Sequence, residues 1–213
     1  MNIMNEEITS NKVYLCGHIV GEPVYSHEVW GEGFYDASLS VKRLSGQDDI
    51  IPLTVSERLL IGRSSADGNA VALNGQFRSY NKIEDGKSRL ILTVFVREFI
   101  EAEESRNPNT VELHGYVCKP PIFRVTPFKR EICDILIAVN RAYNKSDYIP
   151  CIAWGRNARY AGNFAVGDRV EVAGRIQSRD YQKFVGEQAV KKTAFEVSIG
   201  KILSDNGYID INQ

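Results

Sequence analysis

The chain is poor in cysteine, histidine and methionine, with four, three and two of each in 213 residues. Cys16, Cys118, Cys133 and Cys151 form no Cys-x-x-Cys pair and sit in or beside alternating apolar segments. They read as small core or strand residues rather than disulfides or metal ligands. His18, His27 and His114 have no His-x-x-x-His spacing and no carboxylate cluster beside them, so no metal or other cofactor is expected. No apolar run approaches the roughly 18 residues of a membrane span. The opening MNIMNEEITSNK has neither the basic nor the apolar stretch of a signal peptide, so a cytoplasmic protein away from membranes is expected. A phosphate-binding glycine loop, a nucleophile motif and paired carboxylate spacing are all missing, which leaves an enzyme as the least supported class.

What the chain does have is repetition. NKVYLCGHIVGEPVY from Asn11 returns as NTVELHGYVCKPPIF from Asn109, 98 residues later. Over 45 ungapped positions 11 residues are identical, among them Gly17/Gly115, Pro23/Pro121, Asp36/Asp134, Arg43/Arg141 and Pro52/Pro150. With one extra residue in the second copy, GNAVALNGQFRS (68–79) matches GDRVEVAGRIQS (167–178). A period of about 100 residues is too long for a solenoid unit and is the size of a small domain. The reading is therefore a first domain over 11–100, a polar linker over 101–108, a second domain over 109–203 and a short tail over 204–213. Residues 1–104 carry 10 Lys+Arg against 16 Asp+Glu, a net of −6, whereas residues 105–213 carry 16 against 11, a net of +5. The first copy is acidic and the second basic, which admits a nucleic-acid partner or simple drift between copies.

Within the second copy, Val111, Leu113 and Gly115 alternate with polar residues at the period of a half-buried strand, and Lys119-Pro120-Pro121 ends it. Further strands are predicted over 133–141, 147–154, 169–178 and 193–203, with a polar tip at 142–146 and one short helix within 155–164. The first copy repeats the order, with its helix at 57–64. Five strands with a helix after the third predict an all-β protein of two tandem Greek-key barrels of the OB-fold type; a generic β-sandwich is the rival.

The second copy resembles bacterial single-stranded DNA-binding proteins. The matching pieces are TVELHGYVCKPP, LIAVNR, YIPCIAWGRNA, GDRVEVAGRIQSRDY and TAFEVSIGKI, which together cover 109–203. The first copy fits the same frame less well. The resemblance implies binding of single-stranded DNA by base stacking on exposed aromatics, which fall here on Tyr143, Tyr148, Trp154 and Tyr181. Arg141, Arg156, Arg175, Arg179, Lys183, Lys191 and Lys192 surround them and would follow the phosphates. Tyr148 and Trp154 are an even number apart, so an unbroken strand puts both on one face. The bland alternative for Trp154 is a core side chain, and for Tyr148 a cap on the barrel. At constant offset the first copy has Ser45, Ile50 and Ser56 where the second has Tyr143, Tyr148 and Trp154. It reads as a barrel that kept the fold and lost most of the strand binding, with Trp30, Phe34 and Tyr35 near its first hairpin as a surface for a partner protein or a cover for the barrel end.

The resemblance further implies a homodimer presenting four barrels, replication proteins as partners, and a cytoplasmic place on the nucleoid; an intramolecular pairing of the two copies is equally compatible with the sequence. The segment after Leu203, SDNGYIDINQ, departs from the long acidic-tipped tail of that family, which leaves room for a specialised paralogue. The alternative is a primosomal, replication-restart type of interaction module with weak DNA binding.

Overall fold

A computed structural model describes residues 10–43, 46–61, 70–84, 86–102, 107–185 and 188–204, with only the main chain at 84, 183–185, 188 and 189. Ser45, Gly68, the end of the predicted first helix, the middle of the linker and the tail from 205 lie outside the described residues. The first copy folds as β1 (Asn11–Ile19), β2 (Val24–Val29), β3 (Glu32–Lys42), β4 (Asp48–Ser56), helix α1 (Glu57–Leu60), β5 (Val71–Glu84) and β6 (Lys87–Ile100). The second follows as β7 (Asn109–Val117), β8 (Ile122–Val125), β9 (Glu131–Arg141), β10 (Lys145–Trp154), helix α2 (Gly155–Ala161), β11 (Arg169–Val185) and β12 (Gln188–Ser204).

Hydrogen bonding runs β2-β3-β4-β6-β5-β1-β7-β11-β12-β10-β9-β8, and extra pairings of β3 with β1 and of β7 with β9 close each half on itself. Each half is thus a five-stranded barrel with an added edge strand, β2 or β8. Alternation fills the barrels. Leu15, Leu39, Ile51, Leu73 and Phe77 are fully buried in the first, and Leu113, Ile137, Ile149 and Ile176 in the second. The repeated glycines have a steric reason. A Cβ on Gly17 would drive into the carbonyl oxygen of Ser40, and one on Gly115 into that of Ala138, where the first strand must touch the third to close the barrel.

Two features differ from the sequence expectation. The edge strands β2 and β8 are additional, exposed along their whole length, and show no apolar alternation because neither face covers a core. The fourth and fifth strands also run on past Ser178 and begin before Thr193, pairing Arg179 with Ala194, Tyr181 with Lys192 and Val185 with Gln188 in a hairpin arm. This ribbon stands clear of the barrel, so period-two burial cannot reveal it. Polar bonds mark it instead, with Asp180 accepting from Lys191 and Thr193 at 2.8 Å each. Among the described residues no helix is long and apolar enough to cross a membrane, which leaves membrane-spanning strands unaddressed.

The barrels are joined edge to edge. β1 pairs antiparallel with β7, centred on Val13 opposite Val111, so Asn11 meets Leu113 and Leu15 meets Asn109. Because Val111 is the repeat of Val13, the junction is a two-fold contact between equivalent surfaces within one chain. Side chains obey the same symmetry. Asn11 exchanges two hydrogen bonds with the main chain of Phe77 at 2.8 and 2.9 Å, and Asn109 does the same with Ile176 at 2.7 and 2.9 Å. Across the junction, the Ser178 N–H donates to Asp49 at 2.7 Å and the Ser79 N–H donates to Asp147 at 2.8 Å. Each barrel's buried aspartate thus holds the other barrel's arm.

Candidate nucleic-acid interface

β10 alternates except at Ile152, which is buried although it shares the parity of Tyr148 and Trp154. Ile149, Cys151 and Ala153 point inward, while Tyr148 and Trp154 stand on the outer face with 44% and 38% of their surface exposed. That exposure sets Trp154 outside the core. The Trp154 indole is held in place by its Nε1, which donates to Ser198 Oγ on β12 at 3.2 Å. The Tyr148 N–H donates to Ser79 Oγ of the other barrel at 2.7 Å, so this end of β10 is pinned to the junction. Tyr143 tops the β9–β10 hairpin at 84% exposure, projected by a turn in which it and Asn144 take φ of 61° and 53°. Tyr181 lies on the β11–β12 arm at 41% exposure, opposite Lys192. All four rings are at the surface, arranged along the outside of one barrel and its two hairpins.

The cations are less available than the sequence suggests. Arg141 faces Asp147 at 3.6 Å, Arg175 faces Asp49 at 3.7 Å, Arg179 reaches Glu196 at 4.0 Å and Lys191 pairs with Asp180 at 2.8 Å. The carboxylate partners of Arg175 and Arg141 belong to the junction, where the two barrels exchange aspartates. Arg156 is exposed on α2, Lys192 is half-buried on the arm, and the side chain of Lys183 lies outside the described ones. Sequence reasoning missed a further group. Val125, Lys129 and Arg130 of the unforeseen β8–β9 hairpin, with Glu131, line a cavity of about 480 Å³ together with Trp154 and with Arg159 of α2. The only trace in the sequence is the cationic run Lys129-Arg130 just before β9.

Asp49 shows how the junction handles charge. Burial works against its ionised form, but the Arg43 guanidinium and the Ser178 N–H and hydroxyl more than compensate and hold its pKa below the ordinary carboxylate value. Arg43 Nε donates to it at 2.6 Å, and the same guanidinium donates to the Ser178 carbonyl at 2.8 Å, bridging the barrels. Burial pushes the Cys133 and Cys151 thiols up, as befits inert core residues. Among the described residues no group of His, Cys, Asp and Glu could hold a metal ion.

The first barrel differs at the matching place. Ser56, where the second copy has Trp154, caps α1 by accepting from the Arg58 N–H at 3.2 Å and donates to Glu32. Ile50, in the place of Tyr148, is exposed. Yet the surface is not bare of rings. Strand register sets Phe95 on β6 where Ser198 stands on β12, so the Trp154–Ser198 contact becomes Ser56 beside Phe95. Phe95 lies 5.8 Å from Phe34, which stacks on His27 at 5.3 Å, and the Arg78 guanidinium covers Phe95 at 3.8 Å. A ring has moved from the third barrel strand to the fifth, a change that comparison at constant offset along the chain cannot show.

Comparison with known proteins agrees with this geometry. The model of the single-strand binding protein family matches residues 108–203. The second barrel is similar to single-strand binding proteins along its whole length. Single-stranded DNA-binding protein 2 of Listeria innocua is 34% identical over 87 residues, 38% of this chain and 55% of the relative. The single-stranded DNA-binding protein of Streptococcus pyogenes is 30% identical over 105 residues, 46% of this chain and 60% of the relative. The chain thus spans little more than half the length of these curated relatives. Over both barrels the fold is similar to the single-stranded DNA binding protein from Thermus aquaticus, with a TM-score of 0.68 at 20% identity, covering 91% of this chain and 92% of that one. A deletion mutant of that protein gives the same score over 95% and 98%. The fold likeness extends the tandem arrangement to the acidic half, which the family model does not reach.

Proposed function

We propose that the protein binds single-stranded DNA with no marked sequence preference, mainly through its second barrel, and serves replication, recombination or repair in the cytoplasm on the nucleoid. The observation that carries this is the pair of exposed rings, Tyr148 and Trp154, on one face of β10, continued by Tyr143 and Tyr181 on the flanking hairpins. Every base has a π-face, so stacking tolerates any sequence and contributes about 1–3 kcal/mol per base. Arg156, Lys183 and Lys192 are the first candidates for the phosphates, with Arg141, Arg175, Arg179 and Lys191 acting once their carboxylate partners are shared. The reading assigns no bond-making chemistry to the chain. Two chains paired as a homodimer would present four barrels, and replication proteins are the further partners the family suggests.

The test is fluorescence titration with an oligo-dT of about 35 nucleotides, long enough to engage more than one barrel. Of the two tryptophans, Trp30 is replaced by phenylalanine so that Trp154 reports alone. Saturable quenching is expected, weakening with salt at a log–log slope of roughly −0.7 per phosphate neutralised. Equal affinity for duplex, or no quenching at low salt, refutes the reading.

A further inference from the structure

The twelve-stranded order has two ends, β2 and β8, each paired on one side only among the described residues. At the β2 end the hairpin tip presents Trp30 at 96% exposure, held out by a turn in which Trp30 and Gly31 take φ of 50° and 79°. Val29 beside it is exposed too, and Val24 and Tyr25 are exposed farther along the same strand, with nothing beneath it. The tip is acidic. Glu28 next to Trp30 is exposed; Asp36, across from Val24, is exposed at the far end of the hairpin. In the second barrel the matching Asp134 is neutralised by Arg124 at 2.9 Å, but Ser26 stands where that arginine would be.

The β8 end is the complement. It holds the cavity beside Trp154, about 480 Å³ and large enough for an indole ring, with an apolar wall from Val125. Glu131, which also lines it, is neutralised by Arg159 at 2.6 Å, whereas Lys129 and Arg130 at its rim make no ion pair among the described residues. An aromatic knob in an acidic setting thus sits at one end of the molecule, and an aromatic-walled cavity with a cationic rim at the other. A bulge between Tyr25 and His27 interrupts the regular edge of β2, so the fit is one of side chains rather than an added strand.

We propose that Trp30 of one copy inserts into the Trp154 cavity of a second copy, with Glu28 against Lys129 and Arg130. The contact joins different surfaces, so it repeats head to tail instead of closing as a two-fold pair. Opposite charge on the two halves of the chain guides it and makes it sensitive to salt. Because the cavity wall is Trp154, a base and a neighbouring copy exclude each other there; this clause rests on the DNA reading above.

The experiment uses the full chain in sedimentation velocity at low and high salt, with thermal melts as a check on folding. At low salt the wild type grows in mass with concentration, and high salt reverses the growth. Trp30→Ala and Arg130→Glu each remain at the base unit. Mixing the two restores association to at least about twice that mass, because each variant carries the end the other lacks. Absence of growth in the wild type, growth by Trp30→Ala alone, or a mixture no larger than its parts overturns the proposal. Adding saturating oligo-dT should return the wild type to the base unit. DNA that binds while association persists overturns the shared cavity. Failure of DNA to bind at all sinks the functional reading while the mixing result still decides the contact.

Discussion

Replacing Asp49 by alanine should lower the stability of the whole chain by about 3–5 kcal/mol, the range for removing one partner of a buried ion pair. Asp49 is buried and receives the Arg43 guanidinium, the Ser178 N–H and the Ser178 hydroxyl. The alanine variant removes the carboxylate partner of the Arg43 guanidinium, which keeps only the Ser178 carbonyl and hydroxyl, and leaves the Ser178 N–H without its acceptor, where the arm of one barrel meets the strand of the other. Equilibrium urea unfolding measures the effect. Asp147→Ala removes the mirror-image contact and should cost less, since its arginine stands off at 3.6 Å. Asp49 also sets an acid limit. Its folded pKa is depressed, so its contribution is complete above the unfolded carboxylate value of about 3.9 and disappears as pH falls through the lower folded value. The wild type should therefore lose stability steeply below about pH 4, and the Asp49→Ala difference should shrink there. A variant as stable as wild type at neutral pH would show that the cross-barrel bonds carry no net energy.

The largest effect on binding is expected from Trp154→Ala combined with Tyr148→Ala. Each ring should account for about 1–3 kcal/mol of oligo-dT affinity. Six residues of extended strand separate them by roughly 20 Å, beyond the range at which neighbouring substitutions couple. The double variant should then lose about 2–6 kcal/mol, at least a thirtyfold rise in Kd. Both side chains are surface residues, so the melting temperature should stay close to that of wild type. If the double variant stays folded and binds as tightly as the parent, DNA takes another route over the barrel. A loss of about 3–5 kcal/mol of stability would instead mark a packing role.

Much of this architecture was legible in the chain. The period of 98 residues and the two-residue alternation in each copy gave the five barrel strands and the helix that follows the third. Inward residues such as Leu113, Ile137 and Ile149 were readable because one face of each strand covers a core. Elements without a core beneath them were not readable. The edge strands β2 and β8 and the outer half of the β11–β12 arm are ribbons open to water, and their polarity follows no period. The even spacing of Tyr148 and Trp154 placed both rings on one face, but composition could not say that Arg175 answers to Asp49, 126 positions away in the other barrel. Nor could it show that Phe95 stands beside Ser56, because that neighbourhood arises from parallel pairing of β4 with β6.

The two-fold axis through Val13 and Val111 has a consequence for how the molecule responds to dilution. Two separate barrels meeting through such a surface would part as their concentration fell. Here the partners are joined through a short segment between Ile100 and Asn109, so their encounter is unimolecular and independent of protein concentration. The pair holds together at any protein level the cell maintains. Once that is guaranteed by the covalent chain, the outer surfaces no longer have to match. One barrel can turn acidic while its twin stays basic, provided the asparagines, aspartates and serines of the shared seam are left alone.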